Sequence, residues 1–237
     1  MAKIKAFEIC TSLWYNLFWG DSLLYNYKTI YGYGYKEIEI KRSRFIGHAK
    51  PVENEDEAIK FINSIKSAHK DATHNVYAYI LGERDEIQRY SDDGEPSGTA
   101  GVPVLNVIKN EGLKNTAVVV TRYFGGILLG AGGLIRAYVK SAKLGLETAT
   151  IVEKILFKSV HVTVDYTLFG TVQNDLLKNN YLIKDIEYAD KVTLIVYVQY
   201  DKKDDFIEHI VNLTNAKSFI EDGSDVYLYK KDDKYLE

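Results

Sequence analysis

The chain has 237 residues, 46% hydrophobic and 27% charged, with 3 prolines, 1 cysteine and a formal net charge of −3. That profile suits one large or two ordinary globular domains and excludes a disordered chain, while the lone Cys10 excludes internal disulfides and cysteine-rich metal sites. No apolar run approaches the ~20 residues of a membrane helix, and a mildly acidic chain is a poor wrapper of duplex DNA.

Charge is unevenly placed. From residue 158 onward 10 Lys+Arg face 15 Asp+Glu, whereas the preceding residues carry 20 and 18. A polyanion site is therefore sought before residue 158.

The first stretch, "MAKIKAFEICTSLWYNLFWGDSLLYNY" (1–27), sets two lysines before an apolar patch. Glu8 and Asn16 interrupt that patch and no small-x-small cleavage site follows, so it reads as an aromatic extension, helical or poorly ordered, rather than a signal peptide. The expected compartment is the cytoplasm. "YKEIEIKRSRFIGHAKPV" (35–52) alternates as one or two strands. "NEDEAIKFINSIKSAHK" (54–70) is a helix, with Asn54 as N-cap and Glu57 three residues on as a capping box. "HNVYAYIL" (74–81) is a strand. "ERDEIQRYSDDGEPSGTAG" (83–101) is polar and glycine-rich and reads as loop. "VPVLNVIKN" (102–110) is a short helix with proline near its start. "TAVVVTRYF" (116–124) is a buried strand, and after a glycine-rich loop "LIRAYVKSAKLGLETA" (134–149) has helical periodicity.

The tail reads strand 159–166, helix 168–180, strands 181–189 and 191–200, helix 202–217 and strand 225–231. This βαββαβ order predicts a ferredoxin-like unit. A boundary falls near residues 150–158, which gives an extension (1–26), a first domain (27–155) and a second (156–237).

Three clusters could carry chemistry. "RYFGGILLGAGGLIRAY" (122–138) runs glycines into a helix start. It is no P-loop, because Ala131 and Gly132 stand where lysine and a hydroxyl are needed, and no dinucleotide fingerprint, because Ile135 stands at its last position. Two readings remain open: an anion site, with Arg122, Arg136 and Lys140 around the amides of Gly125, Gly126, Gly130, Gly132 and Gly133, or a plain tight turn. Lys41, Arg42 and Arg44 would extend the basic surface.

In "SDDGEPSGTAG", Asp92, Asp93 and Glu95 could ligate a metal or form an acid–base pair, but spacing alone favours a turn closed by its own aspartates. Ser97 and Thr99 lack a nucleophile elbow. His69 and His74, five residues apart across a helix–strand junction, do not make a zinc pair, and His48, His161 and His209 are isolated.

Taken together, "SRFIGHAKPV" (43–52), "ATHNVYAYILGE" (72–83), "DDGEPSGTAGVPVL" (92–105) and "VVVTRYFGGILLGAGGLIRAY" (118–138) resemble the IMPACT/YigZ family in order and spacing. The resemblance covers about residues 27–150, and the tail resembles the small C-terminal domain of bacterial members. It implies an α+β fold: a ribosomal protein S5 domain 2-like first domain, then a ferredoxin-like domain similar to domain V of elongation factor G.

Relatives of both domains handle structured RNA, and eukaryotic members restrain the kinase that senses uncharged tRNA. That role leans on an extra partner-binding domain without a counterpart here, so kinase regulation is not carried over. The expectation is a non-enzymatic protein associated with RNA or the ribosome that modulates translation, with no metal, no cofactor and no membrane or duplex-DNA partner; a protein partner stays open. In it Arg122, Arg136, Lys140, Arg44 and the glycine amides hold phosphate. His74, Asp92, Asp93, Glu95 and Thr99 order the cleft. The alternative is an enzyme acting on a small phosphorylated or peptide substrate in the same cleft.

Overall fold

A computed structural model describes residues 24–236. The expectation for the N-terminal extension falls on residues 1–23, outside the described residues.

In chain order the first part contains β1 (Asn26–Ile30), β2 (Gly34–Ile40), β3 (Ser43–Pro51), α1 (Glu55–Ala68), β4 (His74–Leu81) and β5 (Ile87–Ser91). It continues with α2 (Gly101–Asn110), β6 (Thr116–Tyr123) and α3 (Ala131–Thr148). Five of these strands form an antiparallel sheet in the order β2-β3-β6-β4-β5. The continuous apolar run of β6 puts that strand at the centre, buried on both faces. Val118 and Val120 point to one core with Phe45, Val104, Ile108, Leu134 and Tyr138. Ala117 and Val119 point to the other, under Ala58, Phe61, Ile62 and Ile65 of α1. Strand alternation thus feeds two cores from one sheet. Helix α1 starts at the expected capping box: Asn54 accepts from the Glu57 amide at 2.9 Å, and Glu57 reaches back to the Glu53 amide at 3.0 Å.

The second part contains β7 (Ile151–Val164), α4 (Tyr166–Lys178), β8 (Leu182–Tyr188), β9 (Val192–Gln199), α5 (Lys203–Leu213), β10 (Phe219–Lys231) and β11 (Lys234–Leu236). Its sheet runs β11-β10-β7-β9-β8, with β1 added beside β7. Within it β10-β7-β9-β8 is the 4-1-3-2 order of a ferredoxin-like βαββαβ unit, whose core is built on Val160, Val162, Leu194, Val196, Leu176, Phe206 and Ile210. The fold is α+β, as expected, with this unit following the first sheet.

Several boundaries differ from the sequence reading. The stretch 83–101 is not all loop, since β5 pairs with β4 from Tyr77↔Ser91 to Leu81↔Ile87. The polar face of this edge strand hides the signal. β7 starts at Ile151 rather than 159, because its first five residues pair with β1. Helix α5 stops at Leu213 and β10 starts at Phe219. β1 and β11 have no counterpart in the sequence reading; both are short and paired with remote strands.

The two sheets also meet through side chains. Lys154 of β7 is 9% exposed, and its Nζ lies 2.7 Å from Glu53, just before α1. The same ammonium sits 5.1 to 5.7 Å from the ring centroids of Tyr27, Tyr227 and Tyr229, an arrangement that favours a desolvated cation. Tyr227 donates to Glu83 at 2.7 Å.

Helix α3 lies unusually close to β3. A Cβ on Gly47 would fall 1.9 Å from the Ser141 carbonyl oxygen, and one on Gly145 2.9 Å from the Gly47 carbonyl carbon. Backbone meets backbone, so no rotamer change relieves a side chain placed there. Gly47→Ala is expected to lower unfolding free energy by about 3 kcal/mol in urea titrations, whereas Gly170→Ala inside α4, where a Cβ meets nothing within 4 Å, does not lower it.

Candidate functional site

The acidic and glycine-rich stretches, far apart in sequence, meet around Arg122. β6 pairs with β3 and β4 so that Arg122 sits opposite Phe45 on one side and His74 on the other. Its side chain runs inward and is 5% exposed. Nη1 lies 2.6 Å from Glu95 Oε1, and the same oxygen accepts the Tyr138 hydroxyl of α3 at 2.8 Å. The guanidinium carbon lies 5.4 Å from the ring centroids of both Phe45 and Phe124. Burial, reinforced by Glu95, pushes the Tyr138 phenol far up, so it remains a donor at any physiological pH. Arg122 therefore takes Glu95 as its partner and lies beneath the surface.

Each of the other acidic residues is likewise engaged. Asp92 Oδ1 accepts the amides of Ala100 and Gly101 at 3.1 and 2.7 Å, and Oδ2 accepts Gly98 at 2.9 Å. It closes the loop and occupies the N-terminus of α2, where an anion is favoured. Asp93 bonds Lys66 of α1 at 2.8 Å and the Asn75 amide at 2.7 Å. Its carbonyl accepts the Nδ1–H of His74 at 2.8 Å, and His74 Nε2 lies 3.8 Å from Glu95. The Thr99 hydroxyl donates to the Pro96 carbonyl at 2.6 Å. No group of three or more His, Cys, Asp and Glu among the described residues could hold a metal ion.

The glycine loop divides its labour. Gly125 packs on the β2–β3 turn, where a Cβ would overlap the Arg42 carbonyl, and its amide donates to Ser43 at 3.2 Å. Gly126 and Gly130 have left-handed φ values of 84° and 69°, and Gly130 is the N-cap of α3 with no side-chain bond to the helix start. Ala131 and Gly132 are exposed and Gly133 half-buried. The first-turn amides thus carry the positive end of an 18-residue helix with no acidic residue in its first turn. Arg136 and Lys140 are exposed on the next turns. With Lys41, Gly133, Leu129 and Ile40 they line a depression of about 170 Å³. Arg44 is elsewhere, on the opposite face of β3, with its guanidinium carbon 4.2 Å from the Tyr123 centroid.

The profile of the Impact N-terminal domain matches residues 41–146, and that of a domain of unknown function, DUF1949, matches residues 162–217. The chain is 49% identical over 208 residues to the IMPACT family member YvyE of Bacillus subtilis, covering 88% of this chain and 96% of that protein. The chain belongs to the IMPACT family. It is 35% identical over 152 residues to the IMPACT family member YigZ of Escherichia coli, covering 60% of this chain and 74% of that protein. Protein IMPACT of Danio rerio is 36% identical over 100 residues, and the match spans only 31% of its length. A crystal structure of a protein described only as hypothetical superposes with a TM-score of 0.55 at 28% identity, covering 84% of this chain and 97% of that one.

Beside the site, and partly ahead of the residues matched by the Impact N-terminal profile, stands an aromatic group that the sequence reading did not single out. His48, 3% exposed, has its Nδ1 2.7 Å from the Tyr33 hydroxyl, and its ring centroid lies 5.3 Å from that of His69. His69 Nδ1 in turn lies 2.9 Å from the Tyr123 hydroxyl. The signal was present in the alternation of "YGYGYK" (31–36), which throws Tyr33 and Tyr35 to one side. No helix among the described residues is long and apolar enough to cross a membrane.

Two outcomes follow from this geometry. Glu95→Gln or Arg122→Met alone strands a buried charge and is expected to cost about 3–5 kcal/mol. The double variant should cost less than the sum of the two, as urea unfolding in a double-mutant cycle would show.

Burial, aided by His69, pushes His48 down to about 4. Between pH 6.5 and 4 the unfolded chain binds a proton that the folded one refuses, so stability falls as pH drops through that window. His48→Gln should therefore gain on the parent protein by about 3 kcal/mol between pH 7 and pH 4 in matched urea titrations.

Proposed function

We propose that this IMPACT family protein binds the phosphate backbone of structured RNA, on the ribosome or free, and through it modulates translation in the cytoplasm. The observation that carries this reading is the exposed start of α3: amides without a side-chain cap, no acidic residue in the first turn, and Arg136, Lys140 and Lys41 around one depression. Helix dipole, free donors and cations act there in the same sense on an anion.

The neighbouring motif shapes this end of the helix. Tyr138, two turns into α3, is fastened to Glu95, and Glu95 to Arg122, so the helix start is held against the sheet edge. Arg122 then acts as a positioning residue, while Arg136 and Lys140 supply the contacts. The uneven charge of the chain agrees, since the half that carries this site is the one with a net positive balance.

An enzymatic reading would draw on Asp92, Asp93, Glu95 and His74. All four have protein partners, so no observation favours it over the binding reading.

Affinity for RNA should fall as salt rises, with a logarithmic slope set by the phosphates neutralised. Arg136→Ala with Lys140→Ala is expected to reduce that slope by about 1 to 2 and to weaken binding to different RNA sequences alike, measured by anisotropy across a salt series. RNA affinity that ignores salt would overturn the proposal.

A further inference from the structure

The first sheet has one face covered by α2 and α3. Among the described residues the other is covered by α1 mainly over β4 and β6, where Phe61, Ile62 and Ile65 meet Tyr79, Ala117 and Val119, and Phe61 also reaches Tyr33. The remainder of that face belongs to β2 and β3. Alternation along β2 sends Ile38 and Ile40 to the α3 side and leaves Tyr35, Glu37 and Glu39 on the open side. Along β3 it brings Arg44, Ile46 and His48 to the same side, with Arg44 exposed and Ile46 and His48 buried beneath their neighbours.

The aromatic rings there form a layer. The centroids of Tyr33, Tyr35 and His48 lie 6.2, 6.2 and 6.3 Å apart, with planes within 18° to 19° of parallel. A column of stacked rings would double the distance between its first and third members, so the equal spacings exclude a column and set the Tyr33 and Tyr35 rings side by side as a tile over His48. His48 is buried beneath it, while Tyr33 is 49% and Tyr35 61% exposed. The contact of Tyr33 with His48 Nδ1 fixes its ring, and its edge-on packing against Phe61 at 6.2 Å fixes it again. Toward the other end of β3, Tyr123 is held by His69 and carries Arg44 over its face. Arg44 has only an exposed, 3.8 Å approach to Glu37 as a competing partner, a pair that contributes little.

This face and the phosphate site lie on opposite sides of the sheet and meet around the β2–β3 turn. The β2–β3 turn, Lys41 and Arg42, separates Arg44 from Gly125, and the Arg42 carbonyl is the atom against which Gly125 packs. Lys41 lines the depression shared with Arg136 and Lys140. A strand of nucleic acid leaving the start of α3 therefore meets Lys41 and Arg42, next Arg44 and Tyr123, and finally the tile. From Arg44 to His48 is four residues of strand, about 13 Å.

We propose that this half-open sheet face is a base-stacking subsite on which unpaired nucleotides lay their bases on Tyr33 and Tyr35, with Arg44, held over Tyr123, meeting the backbone. The inference rests on the RNA reading of α3 and deepens it, naming a single-stranded segment beside the phosphate contact as the ligand. The chemistry argues for unpaired bases because a duplex hides its base faces, whereas fixed, outward aromatic rings on a sheet stack bases of any sequence. The cations of the same hairpin, Lys41, Arg42 and Arg44, outnumber the two carboxylates of this face, Glu37 and Glu39, and meet the polyanion that such a strand brings.

The test measures anisotropy of a short labelled oligouridine and of a blunt RNA duplex of equal charge, using the full chain. Tyr35→Ala is expected to weaken oligouridine binding about tenfold while leaving duplex binding and the salt slope unchanged; Tyr35→Phe should retain affinity. Because Tyr35 is mostly exposed, its truncation leaves the core intact, and an unchanged urea midpoint checks this. Arg136→Ala with Lys140→Ala should instead weaken both RNAs.

Unchanged oligouridine affinity in Tyr35→Ala would overturn the subsite and leave the phosphate reading standing. Failure of the parent protein to bind either RNA would overturn both. A cellular partner held through Tyr35 after ribonuclease digestion would assign the face to a protein and overturn the subsite.

Discussion

The first domain turns on one buried charge, the Arg122 guanidinium. Placed in the interior by the register of β6, it must find an anion there, because an unpaired buried cation costs more than the domain can bear. Glu95 is that anion, and reaching it requires the loop after β5 to fold back over the sheet. Asp92 then holds the loop shut on the N-terminus of α2, and Asp93 ties it to α1 and β4. Tyr138 joins the same carboxylate and so sets where α3 begins. Acidic loop, central strand and glycine-capped helix are thereby one polar assembly, surrounded by the apolar core it interrupts.

This assembly separates two roles that residue type alone confuses. Asp, Glu, His and Arg brought close together are the materials of an active site, yet here each is engaged by another part of the chain. The residues left with outward-facing charge, Arg136, Lys140 and Lys41, are individually ordinary. Their significance comes from the helix start they surround, which lacks the side-chain cap that Asn54 gives α1 and the anion that Asp92 gives α2.

Much of the fold was legible because it rests on local signals. The Asn54–Glu57 capping box, the β-branched run of β6 and the βαββαβ order of the tail are all written within a few residues of where they act. What escaped depends on remote partners. β1 is five residues whose pairing strand lies more than a hundred positions later, and β5 hides in a polar, glycine-rich stretch because an edge strand need not be apolar. At the site, residue types and sequence motifs identified the meeting of the two loops. They could not tell that the Arg122 side chain points inward, since strand alternation fails as a guide where both faces of a sheet are covered. The tyrosine tile was written in the alternation of "YGYGYK", but its meaning depends on α1 leaving that part of the sheet open.

β7 lies wholly in the second sheet, and β1, which pairs with it, is also bonded to the first part where the Lys114 amide donates to the Lys28 carbonyl at 2.8 Å. The first five residues of β7 pair with β1, its last eight with β9, and β10 runs along its other edge across both stretches. Where two domains are joined by a flexible tether, each samples orientations and the second contact with a shared partner gains only from proximity. Here the Lys114–Lys28 backbone bond, the Lys154–Glu53 pair and the Tyr227–Glu83 bond fasten the two sheets together, and such a junction behaves instead as a ruler. A macromolecule that touches both sheets must present its two contact points at one separation and one angle, so that discrimination among partners can come from spacing as well as from the chemistry at either end.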